Sequence, residues 1–359
     1  MFATGTVALL FLATPFLIVP ISEHYGVSEG TVGLIALVQV GAFAAANFLL
    51  PRLLRPSGRI LRYAAVALIL LTLLSIVPQY FAVLLVLRAL AGFAAGTMVW
   101  LAWTDAMKHA KTMPSIAAAG PLTALIASPL IALVAVHGDG AVYGVLAVAT
   151  LPVATFIAPV TGKKRVRGVI SASRSNRVLL VALLALTFFG SALSLNLTIV
   201  ARDIHGISMF AASIGFSCNA LGGLLGSRFP KWRAHPGWFL ASIGVALFAI
   251  VFGPVAFFYI GMVWWGFAFW MGIPGVFKML ADRSVAPGER AGDAQGVMAI
   301  GRAFGPAMAG VFVDGGALYA LAITAAVGST AAGLGVVGVK EGRDRRIDSD
   351  PHASNLEDE

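Results

Sequence analysis

One cysteine in 359 residues, Cys218, leaves no disulfide framework and no cysteine-held metal cluster to consider. Charged side chains are equally scarce. They make up 11% of the chain against 59% hydrophobic, with a mean hydropathy of +0.89, which excludes an ordinary soluble globular domain. None of the sixteen acids falls inside an apolar run: all lie in joints, at run ends or in the last twenty residues. The six histidines (24, 109, 137, 205, 235 and 352) are scattered in the same way, so no catalytic pair and no metal-ligand spacing forms. No basic segment precedes the first apolar run, which argues against a cleaved signal peptide. The runs do not alternate polar and apolar residues, which excludes a transmembrane β-barrel.

What remains is helix for a bilayer. Twelve apolar spans are predicted at 2–21, 31–51, 60–77, 80–102, 115–136, 141–160, 178–200, 206–227, 237–253, 255–277, 294–313 and 317–339. The net charge of +9 does not point to nucleic acid, because the basic residues sit in the joints. Assigned to alternate sides, 22 of the 25 Lys and Arg fall on one side, called here the basic face. Arg202 alone falls on the opposite face, and Arg88 and Arg302 lie within spans. This bias predicts a multi-pass protein of the plasma (inner) membrane with both termini cytoplasmic.

Residues 161–177 form a basic cytoplasmic linker between 1–160 and 178–340, each a six-helix bundle, and 341–359 form a disordered cytoplasmic tail. The halves repeat. Pro129 and Pro306, Asp139 and Asp314, and Tyr143 and Tyr319 are each about 176 residues apart. Six spans per repeat give both copies the same orientation, so the fold class is all-α membrane protein with two pseudo-symmetric bundles of six transmembrane helices.

Three motifs carry a resemblance. The joint after span two reads Asn47-x-x-x-Pro51-Arg52-x-Leu54-Arg55, and its repeat reads Gly223-x-x-x-Ser227-Arg228-x-Pro230-Lys231. Span four contains Arg88-x-x-x-Gly92-x-x-x-Gly96. Span five contains Ser128-Pro129 followed by Ala132, and span eleven repeats it as Gly305-Pro306-Ala-Met-Ala309-Gly310. With the span count, these resemble the major facilitator superfamily of secondary transporters over the whole chain. The resemblance implies that fold, alternating access between two bundles, and no cofactor. It also implies a cytoplasmic motif built on Arg52, Arg55, Arg228 and Lys231, although the family's acidic position is absent from both copies. Gly92, Gly96, Pro129, Gly305 and Pro306 take gating or helix-packing roles.

Arg88 and Arg302 are the only formal charges deep in the spans, each nine residues in and read as lying at one depth. A mid-membrane guanidinium costs roughly 2.5–3.5 kcal/mol on insertion scales and marks a functional site by default. No carboxylate lies near either one, and arginine's planar fork matches carboxylate or phosphate. Alternatively, Arg88 hydrogen-bonds the carbonyls of a neighbouring helix. Pro306 is expected to bend span eleven. Gln39, Ser191, Trp265 and Phe269 join the two arginines as candidate substrate-binding residues. For Gln39, Ser191, Ser194, Ser217 and Asn219, interhelical hydrogen bonding is the competing reading.

The expected function is transport of a small organic molecule by alternating access, with an organic anion held by the arginines. The alternative is a proton-coupled efflux pump for apolar or cationic drugs. A membrane-embedded enzyme or a receptor is disfavoured, because catalytic clusters and long soluble segments are absent. The expected partners are a small-molecule substrate and the bilayer, with no metal and no nucleic acid, and the chain is read as a monomer.

Overall fold

The computed structural model describes residues 2–106, 113–156, 174–228, 235–283 and 287–339. Among them lie thirteen helices. The first half contains α1 (Phe2–Tyr25), α2 (Glu29–Leu53), α3 (Gly58–Leu74), α4 (Phe81–Ala106), α5 (Met113–Ala135) and α6 (Asp139–Thr155). The second contains α7 (Arg174–Leu195), α8 (Leu197–Asp203), α9 (Met209–Arg228), α10 (Pro236–Phe252), α11 (Val255–Ala281), α12 (Pro287–Asp314) and α13 (Leu318–Val337). Nine of these described helices are long and apolar enough to cross a membrane, and α6 and α10 are shorter apolar helices. The helices coincide with the twelve expected spans once α7 and α8 are taken together.

The extra helix has a local cause. Asn196 turns its amide back to donate to the Ala192 carbonyl (2.8 Å), and its backbone leaves helical geometry at φ −96°, ψ 10°. An asparagine that bonds its own backbone competes with the helical ladder. α12, by contrast, stays helical through Pro306. α7 starts at Arg174, so the last turn of the stretch read as linker is helix. The rest of that linker, the tail beyond 340 and Lys231 lie outside the described residues.

Each half packs on itself in the same way. α2 lies along α4 in the first half and α9 along α11 in the second, while α1 sits among α4, α5 and α6, and α13 between α7 and α10. The halves meet mainly where α2 runs along α12 and α5 along α9. The repeat reaches into the turns. Gly26 and Gly206 (φ 61° and 64°) close the joints before α2 and α9, and Gly138 and Gly316 (φ 96° and 65°) those before α6 and α13. Positive φ at these four joints favours glycine. After the first pair, Ser28 caps Thr31 and Ser208 caps Ala211, each accepting from a backbone N–H at 3.2 Å.

Candidate functional site

α12 carries the site. Gly301 and Gly305 press against α7 at Thr187, Phe188 and Ser191. Gly310 presses against Gly30 of α2, and the Pro306 carbonyl against Gly33. On the helical wheel Ile300, Phe304 and Val311, all exposed, form one stripe that faces away from both neighbours. Arg302 and Gln295 are exposed on the other side, in the seam between α7 and α2. Protein surrounds Arg302 while its side chain remains reachable by solvent. It makes no hydrogen bond or ion pair with any described residue. A charged fork held inside the protein, open to solvent and without a partner, can take up a ligand carboxylate or phosphate.

Helix register decides which other candidates join it. The contacts of Gly30 with Gly310, Gly33 with Pro306 and Phe48 with Gly296 set α2 antiparallel to α12, and place Gln39 level with Arg302 but on the face of α2 that packs against Gly92 of α4, roughly half a turn from the side facing α12. At 1.5 Å per residue, Gln39, Trp265 and Arg302 lie about 15–18 Å from the opposite-face ends of α2, α11 and α12, and Ser191 lies level with Gly301 and Gly305, which it contacts. The Trp265 ring comes within 3.5 Å of the space beside Gly190 on α7. Ser191 lies within hydrogen-bond distance of the carbonyls of Phe188 (3.2 Å) and Gly301 (3.4 Å), so its hydroxyl is committed to helix contacts. Phe269, half-buried, is one turn nearer the basic face. Gln39 is 2% exposed. Ser217 and Asn219 are tied up between helices, donating to the carbonyls of Leu125 (2.8 Å) and Met262 (3.1 Å).

Arg88 is elsewhere. It lies about 10 Å from the opposite-face end of α4, against about 18 Å for Arg302 on α12, so the expected common depth does not hold. The reason is direction: α4 starts at the opposite face and α12 ends there, so nine residues into each span are two different depths. Arg88 is 1% exposed, enclosed in the first half with its guanidinium 4.9 Å over the buried Tyr143 ring. Its neighbours Gly92 and Gly96 abut the carbonyls of Gln39 and Phe43 on α2.

A family model described as Major Facilitator Superfamily matches residues 1–341. The chain belongs to that superfamily. It is a multi-pass membrane transporter and not an enzyme. A crystal structure of a D-xylose–proton symporter superposes with a TM-score of 0.73 at 13% identity, covering 95% of this chain and 97% of that one. A bacterial homologue of the human lysosomal transporter Spinster, inward-facing and occupied, gives 0.68 at 16% identity over 94% of each chain. The same homologue, unoccupied, gives 0.65 at 16% over 94% of each. At such identities the likeness is one of fold. No curated protein matches the chain.

Of the superfamily motif after α2, Arg52 closes the helix and Arg55 lies exposed in the joint, while Arg228 ends α9. Pro129 sits half-buried within α5. The opposite face holds contacts between the halves that the sequence did not single out. Arg202, the lone exception to the charge bias, grips Glu29 of α2 with both terminal nitrogens (2.7 and 3.0 Å). Asp314, at the end of α12, accepts from the Gly30 backbone N–H (2.9 Å) and the Ser28 hydroxyl (2.8 Å), so it caps α2 from across the molecule. Thr198 donates to the Pro15 carbonyl (2.9 Å), and Phe16 packs on Phe216 with ring centroids 5.2 Å apart. These bonds differ in worth. Asp314→Ala is expected to cost about 1 kcal/mol through the lost cap, and Arg202→Ala less, because an exposed ion pair contributes about 0–1 kcal/mol. Thermal unfolding in detergent checks the order.

Proposed function

We propose that this superfamily transporter carries a small organic anion by alternating access of its two halves, with Arg302 as the anchoring cation. The observation that supports this most directly is the solvent-reachable guanidinium of Arg302 in the middle of α12, in the seam between α7 and α2 and without a partner among the described residues. A carboxylate or phosphate in its fork would partner the charge at charge-assisted hydrogen-bond strength. Trp265 and Phe269 supply apolar wall for the rest of the ligand. The polar contacts across the opposite face and the near absence of contact between α4 and α11 among the described residues favour a resting state closed on that face. The charge bias supports cytoplasmic placement of the basic face and of both termini, in the inner membrane. The division into two halves is supported by the two self-packed sets of helices, with α7 carrying the second half back to Arg174, and nothing in the reading requires more than one copy of the chain.

The experiment is a thermal-stability panel on the purified protein with carboxylates, phosphates, amino acids, sugars and lipophilic cations. A ligand that binds only the folded state raises stability by RT ln(1 + [L]/Kd). The expected result is a shift with one or more anions. Shifts confined to lipophilic cations would favour the aromatic wall of α11 as a drug-efflux surface and end the anion reading.

A further inference from the structure

From Gly30 to Thr104 the chain holds no Asp or Glu, yet it carries five arginines. Arg88 is enclosed in the first half, and the other four lie at the basic face around the joint between α2 and α3. Arg55, Arg59 and Arg62 are exposed and make no hydrogen bond or ion pair with any described residue. Like charges set this close along one chain repel each other unless a counter-charge comes from outside the joint.

The rest of α3 says what carries that counter-charge. On the helical wheel Arg59, Arg62, Tyr63, Val66, Leu70 and Leu73 form a single stripe about 100° wide, and all six are exposed. The stripe is basic in the first turn, aromatic at Tyr63 (69% exposed) and apolar from there to the end of the helix. A tyrosine between charge and hydrocarbon is the placement of an interface anchor. From Tyr63 to Leu74 the stripe runs about 16 Å at 1.5 Å per residue, the depth of one leaflet in a hydrocarbon core about 30 Å thick. α4 and α6 flank α3 and leave this face uncovered.

The repeated scaffold does not require such a face. The offset of about 176 residues carries Arg59 to His235 and Arg62 to Trp238. His235 lies within hydrogen-bond distance of the Val339 carbonyl (3.1 Å), Trp238 is exposed, and α10 has no Lys or Arg. The basic stripe therefore belongs to the first half alone. We propose that the basic-face end of α3 binds an anionic diacyl phospholipid, with its phosphate held by Arg55, Arg59 and Arg62 and its acyl chains laid along the apolar stripe. Arginine's fork suits phosphate oxygens. A zwitterionic lipid has the same phosphate but brings an ammonium group into a joint with no carboxylate of its own, so the site selects a net negative headgroup. The proposal goes beyond the transport reading and does not depend on Arg302.

Native mass spectrometry of the purified full chain in neutral detergent, titrated with dioleoylphosphatidylglycerol, measures the affinity, and dioleoylphosphatidylcholine is the zwitterionic comparison. Each arginine near an anionic lipid surface is worth about fivefold in affinity, so Arg59→Gln combined with Arg62→Gln should weaken phosphatidylglycerol binding about 25-fold and leave phosphatidylcholine unchanged. Arg62→Gln alone should cost about fivefold. Arg177→Gln combined with Lys278→Gln, two exposed cations elsewhere on the same face, should change neither lipid. All four side chains are exposed, so melting in neutral detergent should match the parent protein. Unchanged affinity in the first double variant, or equal loss in both, overturns the site. Glycerol phosphate binding as tightly as the lipid would make it a free-phosphate site. A chain ending at Arg346 that binds phosphatidylglycerol at least about tenfold tighter would make the acidic segment 347–359 the occupant, and either result ends the proposal.

Discussion

Replacing Arg302 by glutamine is expected to weaken binding of the best anion in the stability panel by about 10- to 100-fold, without loss of folded protein. The first part follows from the charge-assisted hydrogen bonds a guanidinium gives to a carboxylate or phosphate, about 1.5–3 kcal/mol, where each 1.4 kcal/mol is a factor of ten. The second part is the more discriminating. A side chain held in place by protein partners destabilises the fold when it is removed. Arg302 has none among the described residues, and its charge is costly where it sits. Arg302→Gln should therefore melt at the same temperature as the parent protein or above it. Arg302→Lys keeps the charge and loses the fork, so its affinity should fall between the two. Titration calorimetry with that anion, beside the melting curves, gives both quantities. Undiminished affinity in Arg302→Gln would remove the anchoring role, and a large drop in stability would recast Arg302 as a structural residue.

The contrast between Arg302 and Arg88 shows how far sequence carries such an argument. A charge inside an apolar run is plain to see, and so is the lack of an acid to match it. Which way it points is not, because that depends on the rotation of its helix against neighbours distant in the chain. Gly301, Gly305, Pro306 and Gly310 fix that rotation for α12 through backbone contacts with α7 and α2. Arg88 is turned inwards onto Tyr143, a residue 55 positions away whose part in the repeat with Tyr319 gave no hint of that partner. The span pattern was legible because it is a property of composition along one helix at a time. The bonds joining the halves at the opposite face were not, since the Asp314 carboxylate accepts from a backbone N–H, which no side-chain motif records. Arg202 was visible only as an anomaly in the charge count, and Glu29 supplies its reason. The break at Asn196 was missed because a single amide, turned on its own backbone, leaves the hydropathy of the run unchanged.

Gly92→Val is expected to have the largest effect on the fold. A side chain at Gly92 would run into the carbonyl of Gln39, and one at Gly96 into that of Phe43 at 2.5 Å. These are backbone atoms of α2, so relief requires moving a whole helix and not a rotamer. α2 cannot retreat, because its other side is packed along the length of α12. The penalty should exceed the usual overpacking cost of about 1–3 kcal/mol, with little monodisperse protein recovered by size-exclusion chromatography. The second half makes the same approach with the glycines mostly on the partner helix: Gly222 and Gly226 of α9 abut the carbonyls of Val263 and Phe267 on α11. Gly222→Val should fail in the same way. Gly144 has nothing within 4 Å of the place a methyl group would take, so it is the control that should accept alanine. Normal folding of Gly92→Val would mean that α2 and α4 stand further apart than these contacts require.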